Sequence, residues 1–473
     1  MVYLSIATSS FQSQVSDLLP CNNNNKSTLI YTMLKAYGLL QYFNQVIDLP
    51  SCSKSDFRLF HSKEYLEILL DPLLNETLEW EDDAEWQKMG LVASAWTELH
   101  QVADSKQPGW FESKRRLYQH FSDDTCVNSA DTPPKKSRWD ELQELLAAED
   151  PELNPNSGSA PNVEVEAFLF EEHKLNEFGL CHDCHVFGYL PMYCHVVTGA
   201  TLALARCASN QKTRTVSINW DGGRHHALRS KASGFCYVND ISILIQKLRR
   251  LGIQNVSYVD FDLHHGDGVE RAFQYSTNVQ SISVHLLEPG FFPGSGTLKD
   301  ASRGKNVVNI PVLHGFDDAC LRKVVHRIII PCLQRHAPQV IVIQCGADGL
   351  MGDKYAEWQL TIKGLATNIL ELVRAFPQAN IVLLGGGGYN EKLTSRFYTY
   401  LTWILISEFS DMCNSSNPFN RDEDVIPDHE FLECYKEEFY KFWYYDTNGC
   451  HTKFLKNDNS ADYIERLVRF YDL

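Results

Sequence analysis

Short apolar segments alternate with longer, helix-length segments from about residue 166 to the end of the chain. The short segments are rich in valine and isoleucine, which predicts strands; they are residues 215–220, 255–260, 280–285, 339–345 and 380–384. Helix-length segments, such as residues 240–251 and 317–336, lie between them. This alternation is typical of an α/β fold with a mostly parallel sheet, in which ligands bind beyond the carboxyl ends of the strands.

The first 165 residues divide into two parts. Residues 1–75 alternate apolar and polar stretches, with a helical pattern across residues 27–43. Residues 76–165 are acidic and dotted with proline, and they predict short helices at 84–100 and 139–148. We therefore expect one folded domain, made of residues 1–75 and 166–473, that is interrupted by an acidic and partly disordered insertion.

Composition and charge restrict the classes of partner. The chain has 473 residues, of which 44% are hydrophobic, and a net charge of −17. A field of that sign does not attract DNA or RNA, whereas it suits basic partners such as lysine-rich tails; a role in solubility explains it equally well. We find no secretory signal and no apolar run of ~18 residues, so we expect no membrane span. The 14 cysteines are then thiols of a reducing compartment.

Two predicted strands end in residues that can bind a metal ion. Asp262 and His264 follow residues 255–260 and project to the same side of an extended chain, and Asp348 follows residues 339–345. Three protein ligands with an open position are the pattern of a catalytic zinc site, although the same ligands would also bind Fe(II). The alternative is that Asp262 caps a turn and that His264 is a core residue. We would favour this alternative for a single residue of this kind, but we favour a metal site for the whole set.

Two adjacent histidines follow the predicted strand at residues 215–220. His225 and His226 lie in a glycine-rich loop and are candidates for general acid and base, because imidazole titrates near neutral pH. Histidines with that role need orienting carboxylates, and Asp260 and Asp267, which flank the metal-binding residues, are the candidates. An accidental pair on a surface loop is the alternative.

A run of four glycines follows the strand at residues 380–384 and leads into Tyr389. Glycines at this point let the backbone approach a site closely. The tyrosine hydroxyl would then donate a hydrogen bond to an oxyanion that develops beside the metal. A tight turn with a core tyrosine is the alternative.

Several long motifs, in the same order along the chain, resemble the class I zinc-dependent histone deacetylases of the arginase/deacetylase superfamily. They are SINWDGGRHHALRSKASGFCYVND, YVDFDLHHGDGVERAF, EPGFFPGSG, CGADGLMGD and LGGGGYN, with NEFGLCHDC before them and VIPDHEFLECY near the C-terminus. The resemblance covers roughly residues 1–75 and 166–473, and the short C-terminus without a basic tail is similar to that of the fungal Hos-type enzymes. It implies a single-domain, three-layer α/β fold with helices on both faces of the sheet.

The resemblance also implies the chemistry, which is zinc-dependent hydrolysis of N6-acetyl-lysine to lysine and acetate. His226 would be the main general base and acid, and His225 its electrostatic partner. Tyr389 would polarise the acetyl carbonyl. The remaining roles that the resemblance implies are zinc ligands (Asp262, His264 and Asp348) and carboxylates that pair with the histidines (Asp260 with His225, Asp267 with His226).

For the substrate, the resemblance implies a narrow tunnel that leads acetyl-lysine to the metal. Phe235 and Phe292 match the two facing aromatic residues of the family, and Gly234 leaves room beside the lysine stem. Asp183 matches the aspartate at the rim that binds the substrate backbone, and Tyr355 lies at the tunnel wall.

Structural potassium ions are a further implication of the resemblance. The site near zinc would use mostly main-chain oxygens, from Asp260, Asp262, His264, Ser283 and Val284. A second site would draw on Phe273 and Val279.

Four positions depart from the family pattern. Lys26 replaces an arginine by the internal acetate channel and keeps the charge without the planar fork. Arg224 replaces an apolar residue before the histidine pair, Tyr355 replaces a leucine or methionine, and His182 replaces a tyrosine at the rim. None of these changes removes a catalytic group, so we expect activity with an altered rate and specificity.

The resemblance implies a protein substrate, either histone tails or a non-histone chromosomal protein such as cohesin. It also implies a nuclear enzyme, with cytoplasm as a second location, and chromatin-associated partners. Two alternatives stay open. An acetylpolyamine amidohydrolase would have a constricted, acidic entrance, and an inactive scaffold would not need the complete set of ligands that this chain carries.

Two short motifs carry less weight. Cys181, Cys184 and His185 form a Cys-x-x-Cys-His haem-attachment pattern, but haem attachment needs an exported protein. A labile disulfide between Cys181 and Cys184 is the better-supported alternative of the two. The basic residues 133–138 are a weak nuclear-import motif, for which a solvated basic spot is the favoured interpretation.

Overall fold

Eight strands form one parallel sheet across the residues that the structure describes. The computed structural model describes residues 2–22, 25–48, 52–71, 173–411, 413, 417–419, 425–447 and 455–472. The strands are β1 (Tyr3–Ala7), β2 (Gln45–Ile47), β3 (Thr215–Asn219), β4 (Val256–Asp260), β5 (Val279–Leu286), β6 (Val307–Val312), β7 (Val340–Gln344) and β8 (Asn380–Leu384). Their order is β2-β1-β3-β8-β7-β4-β5-β6, and all pairings are parallel. The predicted α/β fold with a parallel sheet is therefore confirmed.

The helices of the described residues connect these strands. They are α1 (Ser10–Ser16), α2 (Lys26–Ala36), α3 (Lys54–Phe57), α4 (Lys63–Leu69), α5 (Leu190–Ala208), α6 (Asp240–Arg250), α7 (Asp267–Phe273), α8 (Leu298–Ala301), α9 (Asp318–Val324), α10 (Ile330–His336), α11 (Ile362–Ala375), α12 (Glu391–Phe409) and α13 (Ala461–Phe470). Short 3₁₀ segments are Pro20–Asn22, Leu39–Tyr42, His182–Cys184 and Leu432–Glu438. Within this part of the chain no helix is both long and apolar enough to cross a membrane.

The sheet is covered by helices on both faces, because successive side chains of a strand point to opposite sides. In β7, Ile341 and Ile343 pack in a core with α11 and α12, whereas Val340 and Val342 pack in a second core with α5 and α6. All five residues of β7 are buried. These two cores give the three-layer arrangement that the resemblance implies.

Two predicted helices are interrupted in the structure. The segment 317–336 forms α9, a π-helical turn at Val325–Ile329 and α10. Pro331 at the start of α10 has no N–H to donate, which explains why a regular α-helix does not continue across it. The segment 27–43 is helical only to Ala36, because Gly38 has a positive φ of 65° before the 3₁₀ segment begins.

Strands β1, β2 and β6 were not predicted, whereas each predicted strand is present. The expected insertion at residues 76–165 lies outside the described residues, together with its predicted helices at 84–100 and 139–148 and the basic motif at 133–138.

The carboxyl ends of four neighbouring strands are level with one another. Asn219 of β3 and Gln344 of β7 are both in register with Leu384 of β8, and Asp260 of β4 is in register with Gln344. The loops that follow these strands therefore meet at one edge of the sheet. They are the loops that carry the candidate residues of the sequence.

Candidate active site

The loops after β4 and β7 bring together the three predicted metal-binding residues. His264 Nδ1 lies 3.0 Å from Asp348 Oδ2 and 3.3 Å from Asp262 Oδ1. One ligand atom from each residue lies within 4.8 Å of the others, and all three side chains are buried. Burial and the charge of Asp262 raise the pKa of the Asp348 carboxyl above its usual range. Two buried carboxylates at this separation need a cation to neutralise them.

The other oxygens of the two carboxylates are held by the protein. Asp262 Oδ2 accepts hydrogen bonds from Gln344 Nε2 at 2.7 Å and from the backbone N–H of Gly387 at 2.8 Å. Asp348 Oδ1 accepts the backbone N–H of Leu263 at 2.9 Å. A Cβ atom at Gly387 would lie 2.2 Å from Asp348 Oδ2, so only glycine allows this approach. Asp262 Oδ1, Asp348 Oδ2 and His264 Nδ1 lie close to one another. Two carboxylate oxygens and one imidazole nitrogen are a donor set that fits zinc.

The histidine pair follows β3, and each ring faces one carboxylate. His225 Nδ1 lies 2.8 Å from Asp260 Oδ2, and His226 Nδ1 lies 2.9 Å from Asp267 Oδ1. These are the pairs that the resemblance implies. Because a carboxylate accepts, each Nδ1 carries the hydrogen and each Nε2 is directed away from the carboxylate. His225 Nε2 lies 3.8 Å from Asp262 Oδ1, on the side of the metal-binding residues.

The two histidines differ in their electrostatics. Burial by itself would lower the pKa of His225, but the charges of Asp260 and Asp262 outweigh it and raise the pKa to about 9. Burial and the positive charge of His225 lower the pKa of His226 to about 4, although the hydrogen bond that His226 donates to Asp267 acts in the opposite direction. The environments of adjacent imidazoles thus separate their proton affinities, which is typical of groups with different roles in one reaction.

Tyr389 lies at the end of the glycine run after β8, and it lines a small cavity together with His225, His226 and Asp262. The ring centroid lies 5.9 Å from that of Phe235 and 5.1 Å from that of Tyr355. Burial raises the pKa of the Tyr389 phenol, so the hydroxyl keeps its proton at neutral pH. Within the described residues the hydroxyl has no hydrogen-bond partner, and it is available to donate.

Comparison of the sequence with known protein families agrees with this geometry. A family model described as the histone deacetylase domain matches residues 20–405. The chain belongs to the histone deacetylase family. It is a hydrolase with the arginase/deacetylase fold, as the resemblance implied.

Relatives of this histone deacetylase support the assignment. Histone deacetylase HOS1 of Saccharomyces cerevisiae is 42% identical over 100% of both chains. Type-1 histone deacetylase 1 of Dictyostelium discoideum is 37% identical over 62% of this chain and 55% of its own length. Histone deacetylase 8 of Xenopus laevis is 35% identical over 58% of this chain and 84% of its own. The expected similarity to the fungal Hos-type enzymes is confirmed.

Aromatic residues of the deacetylase lie between the protein surface and the candidate metal-binding residues. Phe292 stands 4.8 Å from His226 between ring centroids and is 41% exposed, so it lies at the mouth. Phe235 lies beside Tyr389 instead. A Cβ atom at Gly234 would lie 2.5 Å from His226 Cδ2 and 2.9 Å from Phe292 Cε1, so glycine is required there.

The rim of the deacetylase is an open cavity of about 670 Å³ that contains Asp183, His182 and Tyr355 in its lining. Asp183 is exposed, and its Oδ2 accepts the backbone N–H of Gly234 at 2.8 Å. Its second oxygen makes no hydrogen bond within the described residues and faces solvent. Cys181 and Cys184, at either side, are free thiols, so the disulfide alternative is wrong for this structure.

The residues expected to bind potassium lie on adjacent strands. Asp260 of β4 is the register partner of Ser283 of β5, and Val284 follows it. The Ser283 hydroxyl is hydrogen-bonded to His285, which leaves the backbone oxygens as the candidate ligands. Of the two residues expected at a second site, Phe273 ends α7 and Val279 begins β5.

Sequence reasoning missed two residues of this site. Phe291 stacks on the His264 ring, with centroids 5.0 Å apart and planes 10° from parallel. Asp353 accepts backbone N–H groups from the loop of Tyr389. The sequence offered a signal for each of them. Phe291 is adjacent to Phe292, and Asp353 is an acidic residue shortly after Asp348.

Proposed function

We propose that this deacetylase hydrolyses N6-acetyl-lysine in proteins and that it uses zinc to do so. The observation that carries the proposal is the convergence of Asp262, His264 and Asp348 beside two histidines that each face a carboxylate. One nitrogen and two oxygens with an open position suit catalytic zinc. Zinc held by these residues supplies Lewis acidity toward the acetyl carbonyl and the attacking water.

The histidine pair moves the proton. His226 donates its Nδ1 hydrogen to Asp267, which leaves Nε2 to accept a proton from water and then to pass it to the departing amine. His225, paired with Asp260, stabilises by its charge the oxyanion that develops. The carbon–nitrogen bond then breaks, and the products are acetate and the free lysine amine.

Tyr389 supplies a hydrogen bond to the acetyl oxygen. Its protonated hydroxyl has no other partner in the described residues, so it can strengthen this bond as negative charge develops. Phe235 and Phe292 pack the methylene stem of the lysine, and Asp183 at the rim accepts backbone N–H groups of the peptide. Asp260, Asp262, His264, Ser283 and Val284 would hold a potassium ion, mostly through main-chain oxygens, and the ion would stabilise the loop after β4.

The substrates that we propose are acetylated nuclear proteins, either histone tails or a chromosomal protein such as cohesin. A net charge of −17 favours encounter with lysine-rich tails over nucleic acid. The relatives are named as histone deacetylases, which supports the same class of substrate and a nuclear location. The deacetylase domain comprises residues 1–75 and 166–473 in this proposal.

The test is acetate release from an acetyl-lysine peptide by zinc-loaded protein. We expect release by the wild type and a loss of roughly 10²-fold or more in kcat for Tyr389→Phe, because one donor to the oxyanion is removed. Tyr275→Phe is the matched control, since Tyr275 is 68% exposed and lines neither the rim cavity nor the cavity at the histidine pair. Equal rates for all three proteins would contradict the mechanism.

A second candidate, acetylpolyamine hydrolysis, is favoured by one observation. The Tyr355 ring lies 4.8 Å from the His264 ring and narrows the approach to the metal-binding residues. Acetylspermidine in the same assay distinguishes the two substrates. Turnover of acetylspermidine without turnover of the peptide would replace the protein substrate by a polyamine.

A further inference from the structure

The C-terminal segment, residues 425–447, contacts the loop that carries Tyr389, and it lies beyond the part of the chain that the family model matches. Tyr445 makes this contact. Its hydroxyl accepts a hydrogen bond from Asn390 Nδ2 at 2.9 Å, and Asn390 directly follows Tyr389. A Cβ atom at Gly352 would lie 2.5 Å from Tyr445 Cδ1, so the ring also packs closely against the loop after β7. One side chain of the segment therefore contacts two loops of the site.

The side chain of Asn390 uses both of its N–H donors. The second one binds the backbone oxygen of Gly352 at 2.9 Å. Its Oδ1 accepts the backbone N–H of Leu393 at 3.2 Å, which caps the N-terminus of α12. A side-chain amide has two N–H donors, so the bond to Tyr445 completes the set. The orientation of this side chain, and of the backbone beside Tyr389, therefore depends in part on the Tyr445 hydroxyl.

A buried ion pair holds the Tyr445 hydroxyl from the other side. The hydroxyl donates to Glu438 Oε1 at 2.5 Å, and Glu438 Oε2 lies 2.6 Å from Arg396 Nη1. The Arg396 side chain is fully buried, and that of Glu438 is 8% exposed. Arg396 also donates two hydrogen bonds to the backbone oxygen of Lys441, at 2.8 and 3.1 Å. The pair therefore joins α12 to the C-terminal segment.

The direction of this chain of hydrogen bonds is fixed by the groups at its ends. Asn390 Nδ2 can only donate, and the carboxylate of Glu438, paired with Arg396, can only accept. The hydroxyl between them must therefore accept one bond and donate the other. Burial and the charge of Glu438 raise the pKa of the Tyr445 phenol, so its proton is retained. A phenylalanine ring would fill the same space and break the chain at this one point.

We propose that Tyr445 is a positioning residue for Tyr389, so that the C-terminal segment takes part in deacetylation without contact to the substrate, and this inference rests on the proposed function. Tyr445 lines neither the rim cavity nor the cavity at the histidine pair. The Tyr389 hydroxyl must donate to an oxygen that becomes negative only as the reaction proceeds. A small displacement of such a donor lowers the rate more than it weakens substrate binding.

The experiment compares Tyr445→Phe with Tyr444→Phe in zinc-loaded full-length protein. Tyr444 is the next residue along the chain towards the N-terminus, its ring centroid lies 5.2 Å from that of Tyr445, and its hydroxyl makes no hydrogen bond within the described residues. On an acetyl-lysine peptide we expect Tyr445→Phe to lower kcat about fivefold or more, with KM changed less than about twofold. Tyr444→Phe should leave both constants unchanged. An unchanged kcat in Tyr445→Phe, or a change confined to KM, would overturn the proposal.

A transition-state analogue distinguishes positioning of Tyr389 from a general disturbance of the fold. A peptide with a trifluoromethyl ketone in place of the acetamide binds as its hydrate, which resembles the tetrahedral intermediate and accepts the Tyr389 hydrogen bond. Tyr445→Phe should weaken its inhibition about fivefold or more by itself, but less than about twofold in a Tyr389→Phe background. Equal weakening in both backgrounds would overturn the proposal, because the effect would not pass through Tyr389. Absence of turnover by the wild type would instead count against the proposed function.

Discussion

The carboxylate of Asp353 accepts a hydrogen bond from the backbone N–H of Tyr389 at 2.7 Å. The same oxygen accepts the N–H of Asn390 at 3.1 Å, and the other oxygen accepts the N–H of Tyr355 at 3.2 Å. One buried carboxylate therefore fixes the backbones of both tyrosines that border the site. It acts through the main chain, so the tyrosine side chains stay free for the substrate.

Asp353→Asn is expected to lower kcat roughly tenfold to 10²-fold with little change in KM, because a displaced Tyr389 hydroxyl stabilises the oxyanion less well. An amide of the same size has one oxygen to accept with, where the carboxylate has two. Steady-state kinetics on an acetyl-lysine peptide measure both constants.

A double variant tests whether Asp353 acts through Tyr389. In a Tyr389→Phe background the hydroxyl is already absent, so Asp353→Asn should add much less than it does alone. The same fold loss in both backgrounds would show that Asp353 has a role unrelated to the tyrosine.

The convergence of Asp262, His264 and Asp348 predicts the metal content of the protein. We expect mass spectrometry to find one zinc ion per chain in the wild type and less than a tenth of that in Asp348→Asn. The substitution puts a neutral amide in the place of one of the two anionic ligands. Removal of the metal by a chelator should lower the melting temperature, since the ion binds the folded state and offsets two buried carboxylates. Asp458→Asn, at a solvent-exposed carboxylate, is the control. Full zinc content in Asp348→Asn would contradict the assigned ligands.

Much of the fold was predictable because local patterns decide it. The strands that form the centre of the sheet are buried throughout and rich in valine and isoleucine, as expected for strands covered on both faces, and glycine-rich loops mark the ends of several of them. Because the carboxyl ends of parallel strands meet, residues more than 100 positions apart, such as His225 and Asp348, could be grouped without any knowledge of contacts.

Other features depend on tertiary contacts that no local pattern encodes. β2 is a three-residue edge strand with two exposed residues, so its burial pattern carries no signal. Asp353 acts through backbone N–H groups that lie 36 and 37 residues further along the chain. Lys26 and Arg224 are separate departures from the family pattern in the sequence, and only the fold brings both into the lining of the cavity at the histidine pair.

Tyr355 is expected to select among inhibitors by shape. Its ring lies 4.8 Å from that of His264 and 5.1 Å from that of Tyr389, which restricts the width near the metal-binding residues. Tyr355→Leu should strengthen inhibition by a hydroxamate with a branched aromatic linker at least about tenfold, because a steric barrier is removed. Inhibition by a linear alkyl hydroxamate should change less than about threefold, and an equal gain for both compounds would argue for a general change in metal affinity instead.

His61 makes the stability of the fold depend on pH. Its ring is buried, Nε2 accepts the backbone N–H of Asn239 at 3.0 Å, and Nδ1 donates to the backbone oxygen of Arg229 at 3.2 Å. Burial lowers its pKa from 6.5 to about 4. Above pH 6.5 the ring is neutral in both folded and unfolded protein. As the pH falls toward 4, the unfolded chain binds a proton that the folded chain does not, so the free energy of unfolding decreases.

His61→Gln is expected to reduce this pH dependence, because an amide accepts and donates in similar directions but does not titrate. Between pH 7 and pH 5 the wild type should lose about 2 kcal/mol more of its free energy of unfolding than the variant does. Urea unfolding at saturating zinc, at both pH values, measures the two differences, and contributions from other groups cancel between them. The variant will be less stable at pH 7 if its amide fits the two hydrogen bonds poorly, but only its change with pH matters here. The same loss in both proteins would mean that His61 is protonated in the folded state at pH 5.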